Sequence, residues 1–246
     1  MVEAVDITNK TLVDFGVENI EVITVAKVGT KVFAQGGLNN KEFYHSTLVL
    51  QNFLKNRKNN LIISGMRNPL ARNISYMFES YHKPLGDVVF RDGTRVTDTF
   101  ICNLGELVPI DTYKLIEIYK NKTYHDGFNR WFYELFEITG VNKVPFNKEL
   151  GVQLYKMPEN NNYILFYVLE KLDANRELLT NFLGIPVTER RYSTESRGNH
   201  IKNKYNDFKS KLVLDDSYKK MLLDTDIVRT FYTEEEIASF YSMYSG

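Results

Sequence analysis

Residues 19–33 read NIEVITVAKVGTKVF, and the parsing of this stretch decides the fold. Ile20 to Ala26 is rich in β-branched residues and bounded by turn-formers, the pattern of a buried strand. The strand gives way to Lys27 and Gly29, and a short helical segment follows from Thr30. A glycine pair, Gly36-Gly37, breaks that segment. STLVLQNFLKNRKNN (46–60) then carries apolar residues at helical spacing, with Ser46 placed to cap it. LIISGM (61–66) reads as a second apolar strand. RNPLARNISYMFESYH (67–82) has Pro69 where a first helical turn tolerates it and keeps helical periodicity to His82.

Strand, helix, strand, helix in succession predicts an α/β fold built on a parallel sheet with crossover helices. Ligands of such sheets bind beyond the C-terminal ends of the strands. Lys27 and Arg67 both stand at such ends, so one crevice can collect them although they are far apart in the chain.

Gly86 to Gly140 begins loosely and becomes helical, and HDGFNRWFYELFEITG (125–140) closes on a glycine suited to a helix C-terminus. Phe128, Trp131, Phe132 and Phe136 recur there at helical spacing and read as core rather than as a platform for stacking a sugar. NYILFYVLE (162–170) is a third strand. It leads through Asp173 into ANRELLTNFLGIP (174–186), a short helix stopped by Gly184 and Pro186. From Ile201 the tail is mostly helical. Neither a repeat nor a low-complexity linker marks a boundary, so a single domain over 1–246 is expected.

Composition narrows the function classes. Hydrophobic residues make up 43% and charged residues 25%, with a formal net charge of zero, the profile of an ordinary globular chain without the basic excess of a nucleic-acid binder. The lone cysteine, Cys102, cannot form an internal disulfide, which suits a reducing compartment. His45, His82, His125 and His200 lack the close spacing of zinc ligands, so no metal is expected. MVEAVDITNK at the start carries charges and no apolar core, and no run approaches the roughly 20 apolar residues of a membrane span. A cytoplasmic location is expected.

The loop after the first strand lacks the GxxxxGK[ST] spacing of a nucleoside-triphosphate P-loop. What it has is Lys27, Val28, Gly29, Thr30 and Lys31 leading into a helix, which supplies backbone N–H groups, a hydroxyl and ammonium groups for a phosphate or sulfate. The same residues also suit a solvated strand-end lysine and a plain turn. At the second strand end, Arg67 can grip a phosphate with two parallel hydrogen bonds, and Ser75 adds a hydroxyl about two helical turns on. A surface arginine and a polar helix face remain the bland reading of that pair.

Lys27 to Lys31 resembles the 5′-phosphosulfate loop of the sulfotransferases, and Arg67 through Ser75 resembles their 3′-phosphate motif, in the same order along the chain. LIISGMRNPLARNISYMFES (61–80), RWFYELFEITGV (130–141), VPFNKELG (144–151) and FYTEEEI (231–237) are more closely similar to the capsular-polysaccharide-synthesis branch of bacterial sulfotransferase-like proteins. The resemblance implies the sulfotransferase fold, a three-layer, P-loop-like parallel sheet with crossover helices and a helical C-terminal part. It also implies 3′-phosphoadenosine-5′-phosphosulfate (PAPS) as sulfate donor and no metal. Val28, Gly29, Thr30, Lys31 and Val32 would cradle the 5′-phosphosulfate, with Lys27 at the bridging oxygen, while Arg67 and Ser75 bind the 3′-phosphate.

His45, in FYHSTL (43–48), lies between the two motifs where the family commonly keeps its catalytic base, and an imidazole titrating near neutrality suits that task. A capping histidine beside Ser46 is the alternative. Arg197 and Gly198, in STESRGNHIKNKY (193–205), resemble the basic, glycine-containing segment that closes the nucleotide site, although a solvated helix start fits them equally. His82, His125 and His200 read as structural. The expected activity is sulfuryl transfer to a hydroxyl of a glycan, either a capsular or other surface polysaccharide or its precursor. A catalytically silent nucleotide-binding protein of polysaccharide assembly is the alternative, and an unrelated phosphoryl-transfer enzyme would differ by choosing ATP with magnesium.

Overall fold

The computed structural model describes residues 1–25, 28–29, 31–34, 40–42, 48–80, 88–89, 95–96, 112–122, 127–188 and 199–245. They group into two compact units, one from Met1–Asn68, Gly127–Arg191 and Asp224–Ile237, the other from Pro69–Asp126, Tyr192–Leu223 and Ala238–Gly246.

The first unit holds a mixed α/β arrangement. In chain order its elements are β1 (Glu3–Val5), β2 (Asn19–Thr24), α1 (Lys31–Ala34), β3 (Asn40–Glu42), α2 (Leu48–Asn56) and β4 (Asn60–Met66). The second unit contributes α3 (Pro69–Ser80), a two-stranded hairpin of β5 (Val88–Val89) and β6 (Arg95–Val96), and α4 (Thr112–Lys122). The chain then returns to the first unit with α5 (Gly127–Thr139), β7 (Val152–Lys156), β8 (Tyr163–Val168) and α6 (Arg176–Leu183). The last helices are α7 (Asn199–Lys211), α8 (Asp216–Leu223), α9 (Asp226–Phe231) and α10 (Glu234–Ser242).

Among the described residues the main sheet has six strands in the order β1-β7-β8-β4-β2-β3. β3, β2, β4 and β8 run parallel, and β7 and β1 add antiparallel pairings at one side. The central β4 and β8 are buried at every position, in keeping with apolar runs covered on both faces. The three strands read from sequence are thus β2, β4 and β8, while β1, β3 and β7 escape such a reading. β1 and β3 have three residues each and carry charge, so their runs are too short and too polar to stand out. Ser46 lies outside the described residues, and α2 begins at Leu48.

One face of the sheet carries Val22, Leu61, Ile63, Leu165 and Tyr167 into a core with Phe33, Leu179 and Phe182. The other face presents Phe166 to an aromatic cluster from α5 and α9. Phe231 is its centre, with ring centroids 5.5 Å from Phe166, 5.4 Å from Phe132 and 5.0 Å from Phe146. Trp131, Phe128 and Phe132 are fully buried, so the aromatic stripe is core, as its spacing predicts. Both expected glycine stops hold: Gly140 (φ 68°) and Gly184 (φ 67°) end α5 and α6 in the left-handed conformation.

In the second unit α4 packs on α7, and α3 on α8. Phe78 of α3 meets Phe208 and Tyr205 of α7, and the hydroxyls of Tyr119 and Tyr218 lie 3.0 Å apart. No helix among the described residues is long and apolar enough to cross a membrane.

Burial pushes up the phenol pKa of Tyr119, Tyr155, Tyr218 and Tyr232. A raised pKa in the folded state gives stability that is complete below the unfolded value of about 10 and lost as pH rises above it. Each tyrosine that ionises only in the unfolded chain should steepen the loss by about 1.4 kcal/mol per pH unit. Urea midpoints should therefore stay level to about pH 9 and fall sharply by about pH 11; a level midpoint across that window would show that these hydroxyls titrate normally.

Candidate functional site

The strand order sets where a ligand can enter. From β2 the chain moves outward to the neighbouring β3, whereas from β4 it moves the other way, towards β8. Loops leaving the C-terminal ends of β2 and β4 therefore diverge, and the crevice between them is the topological switch point of the sheet. The pairing of Val22 with Ile63 continues to Thr24, whose hydroxyl accepts the Gly65 N–H at 3.0 Å. The two strands thus finish level with each other.

The loop after β2 is tied down over this edge. Val28 is fully buried, and its carbonyl accepts the Tyr167 hydroxyl of β8 at 2.8 Å. Gly29 has φ of 88°, where a side chain is disfavoured, and a Cβ there would meet Leu169 Cδ1 at 2.3 Å. Its carbonyl accepts the Val32 N–H at 3.2 Å, opening α1. Val32 is buried, and its own carbonyl accepts the Thr188 N–H at 3.1 Å. Because α1 has only four residues, an anion here would rest on individual N–H groups and side chains rather than on a long helix dipole.

Gly65 is what lets the loop lie so close. A Cβ on it would stand 2.5 Å from the Tyr167 ring and 2.9 Å from Val28 Cγ2. Gly65→Ala should displace Tyr167 from the Val28 carbonyl and cost about 1–3 kcal/mol, as overpacking a tight core does. A thermal melt checks this, and an unchanged midpoint would mean that the loop has room to move.

At the end of β4 stands Arg67, half-buried, followed by buried Asn68 and by Pro69 at the first position of α3. The Asn68 N–H donates to Glu170 Oε1 at 3.0 Å, and the Tyr232 hydroxyl donates to Glu170 Oε2 at 2.8 Å. Burial and the neighbouring Glu170 carboxylate hold the Tyr232 phenol pKa well above its usual value, and the nearby Arg67 charge opposes them. Tyr232 therefore remains a donor.

Of the residues singled out in the sequence, the first unit brings Val28, Gly29, Val32 and Arg67 to the C-terminal edge of its parallel strands. Lys31 opens α1. Ser75 is buried in α3, in the second unit, on the same helix as buried Arg72 and Asn73. Arg72 Nη1 donates to Asn73 Oδ1 at 3.0 Å, and its guanidinium lies 4.7 Å from the Tyr76 ring centroid. Lys27, Thr30, His45, Arg197 and Gly198 lie outside the described residues.

Sequence reasoning missed Tyr167, Gly65, Glu170 and Tyr232. A signal existed for Glu170, which stands two positions beyond Val168, the end of β8, just as Arg67 stands one beyond Met66. Among the described residues, no three His, Cys, Asp or Glu side chains are grouped to hold a metal ion. Comparison of the chain with protein-family models, curated proteins and solved structures finds no match.

Proposed function

We propose that this chain is a PAPS-dependent sulfotransferase of the sulfotransferase fold, moving a sulfuryl group to a hydroxyl of a glycan, such as a surface polysaccharide or its precursor. The observation that carries the reading is the pairing at the switch point. Beyond one parallel strand Val28 lies tight over Gly65, and beyond its neighbour stands Arg67. With Lys27 and Lys31 in the sequence around the first strand end and Arg67 at the second, the pair suits a ligand with two separate anionic groups, and PAPS carries a 5′-phosphosulfate and a 3′-phosphate. The residues fit such a donor in kind, since Arg67 offers planar, bidentate recognition of phosphate and the loop offers main-chain N–H groups.

In this reading His45 accepts the proton of the acceptor hydroxyl as its oxygen attacks sulfur in line. The bond between sulfur and the bridging oxygen breaks, leaving a sulfate ester and adenosine 3′,5′-bisphosphate. Lys27 and the loop amides offset the charge that grows on the departing phosphate, and Arg67 holds the far phosphate. Positioning and preorganised charge supply the acceleration.

Transfer of radiolabelled sulfate from PAPS to a panel of soluble oligosaccharides and nucleotide-linked sugars tests the activity. Labelled product that disappears in His45→Ala supports it. Product formed equally well by His45→Ala would remove the base assignment, and a protein that binds donor yet labels no acceptor would be the silent relative.

A further inference from the structure

FYTEEEI (231–237) and VPFNKELG (144–151) carry the family resemblance without an assigned role, and both come to the end of β8. Phe231 seats the first of them in the aromatic core against Phe146 of the second. Tyr232 then reaches Glu170, and Glu236 reaches the next residue, pairing with Lys171 Nζ at 2.9 Å. Lys171 Nζ also donates to the Lys148 carbonyl. Thr233 and Glu236 cap α10 reciprocally: the Thr233 N–H donates to Glu236 Oε2 at 2.9 Å, and the Glu236 N–H donates to Thr233 Oγ1 at 3.3 Å. The segment is therefore strapped across two consecutive residues beyond β8.

Glu170 passes that restraint on. Its residue is exposed, yet each carboxylate oxygen already accepts a hydrogen bond, one from the Asn68 amide and one from Tyr232. The Asn68 amide belongs to the peptide that joins it to Arg67, so fixing that N–H fixes the plane from which the arginine departs. Arg67 lies close enough for its charge to act on the Tyr232 hydroxyl.

We infer that Glu170, held by Tyr232, is a positioning residue for the phosphate-binding arginine, setting the direction of Arg67 through the Asn68 amide. The inference rests on the reading of Arg67 as the 3′-phosphate ligand. It gives the FYTEEEI segment the task of a buttress behind the nucleotide site, remote from the acceptor.

Titration calorimetry with two ligands, adenosine 3′,5′-bisphosphate and adenosine 5′-phosphosulfate, separates positioning from bulk stability, because only the first has the 3′-phosphate. Glu170→Ala should weaken the bisphosphate about tenfold, the scale of one charge-assisted hydrogen bond, and leave adenosine 5′-phosphosulfate unchanged. Glu170→Gln, which keeps an acceptor for the Asn68 amide, should restore most of the loss. In an Arg67→Ala background the Glu170→Ala change should have no further effect, as coupled residues require. Tyr232→Phe keeps the ring in the core and should follow the same ligand pattern about threefold, which decides the matter if Glu170→Ala fails to fold. Equal losses for both ligands, or full additivity with Arg67→Ala, would overturn the inference and leave the donor site standing. Failure of the unaltered protein to bind the bisphosphate would instead remove the 3′-phosphate reading, and this inference with it.

Discussion

Lys27→Ala should lower sulfuryl transfer about 100- to 1000-fold, the cost of removing one preorganised donor from a developing anion. In the sequence the lysine directly precedes Val28, which is buried, and Gly29, which has a positive φ of 88°. Val28 is held through its carbonyl by the Tyr167 hydroxyl, and Gly29 lies close against Leu169, so these contacts should survive the substitution. The loss should therefore fall on turnover, with the melting temperature moving by no more than a surface change does. A steady-state assay beside a thermal melt checks both halves. Retained turnover would show that the charge on the leaving phosphate is met elsewhere.

Phe231→Ala should destabilise the protein by about 3–5 kcal/mol, the range for deleting a buried phenyl ring. Its ring is 1% exposed and touches Phe132, Phe136, Phe146 and Phe166, so its removal opens a hole where α5, α9 and β8 meet. The contacts with Phe132 and Phe146 are edge-to-face, which adds to the area term. Against a total stability of about 5–15 kcal/mol, this is enough to unfold a marginal chain at moderate temperature. Denaturant unfolding measures it, with Phe231→Leu as the gentler companion expected to lose much less. A loss below about 1 kcal/mol would mean that the cluster collapses into the space.

The parts of the fold that were legible in sequence are those whose physics is local. β2, β4 and β8 show as continuous apolar runs because a strand buried on both faces needs nothing else, and Gly140 and Gly184 show as helix stops because a left-handed residue favours glycine. β3 reads NKE and β1 reads EAV, and what makes them strands is the partner edge, which no window of sequence contains. The chain passes between its two units several times without any glycine-rich or charged linker, so composition does not mark the crossings.

For the site, the strand-end rule finds Arg67 and the Val28-Gly29 loop and would have found Glu170. It could not find the job of Glu170, whose hydrogen-bond partners are the amide of Asn68 and the hydroxyl of Tyr232, both remote in sequence. Gly65 reads as an ordinary strand glycine until Tyr167 and Val28 are seen to occupy the space a side chain would need.

The melting temperature with adenosine 3′,5′-bisphosphate, with AMP and magnesium ATP as controls, tests whether the strand ends hold a doubly phosphorylated sulfate donor. A ligand that binds only the folded state at about 100 times its dissociation constant adds about 2.7 kcal/mol. Such a site should give a clear upward shift for the bisphosphate, much smaller shifts for AMP and ATP, and loss of the selective part in Arg67→Ala. No shift at millimolar bisphosphate, or an equal shift with magnesium ATP, would rule that site out.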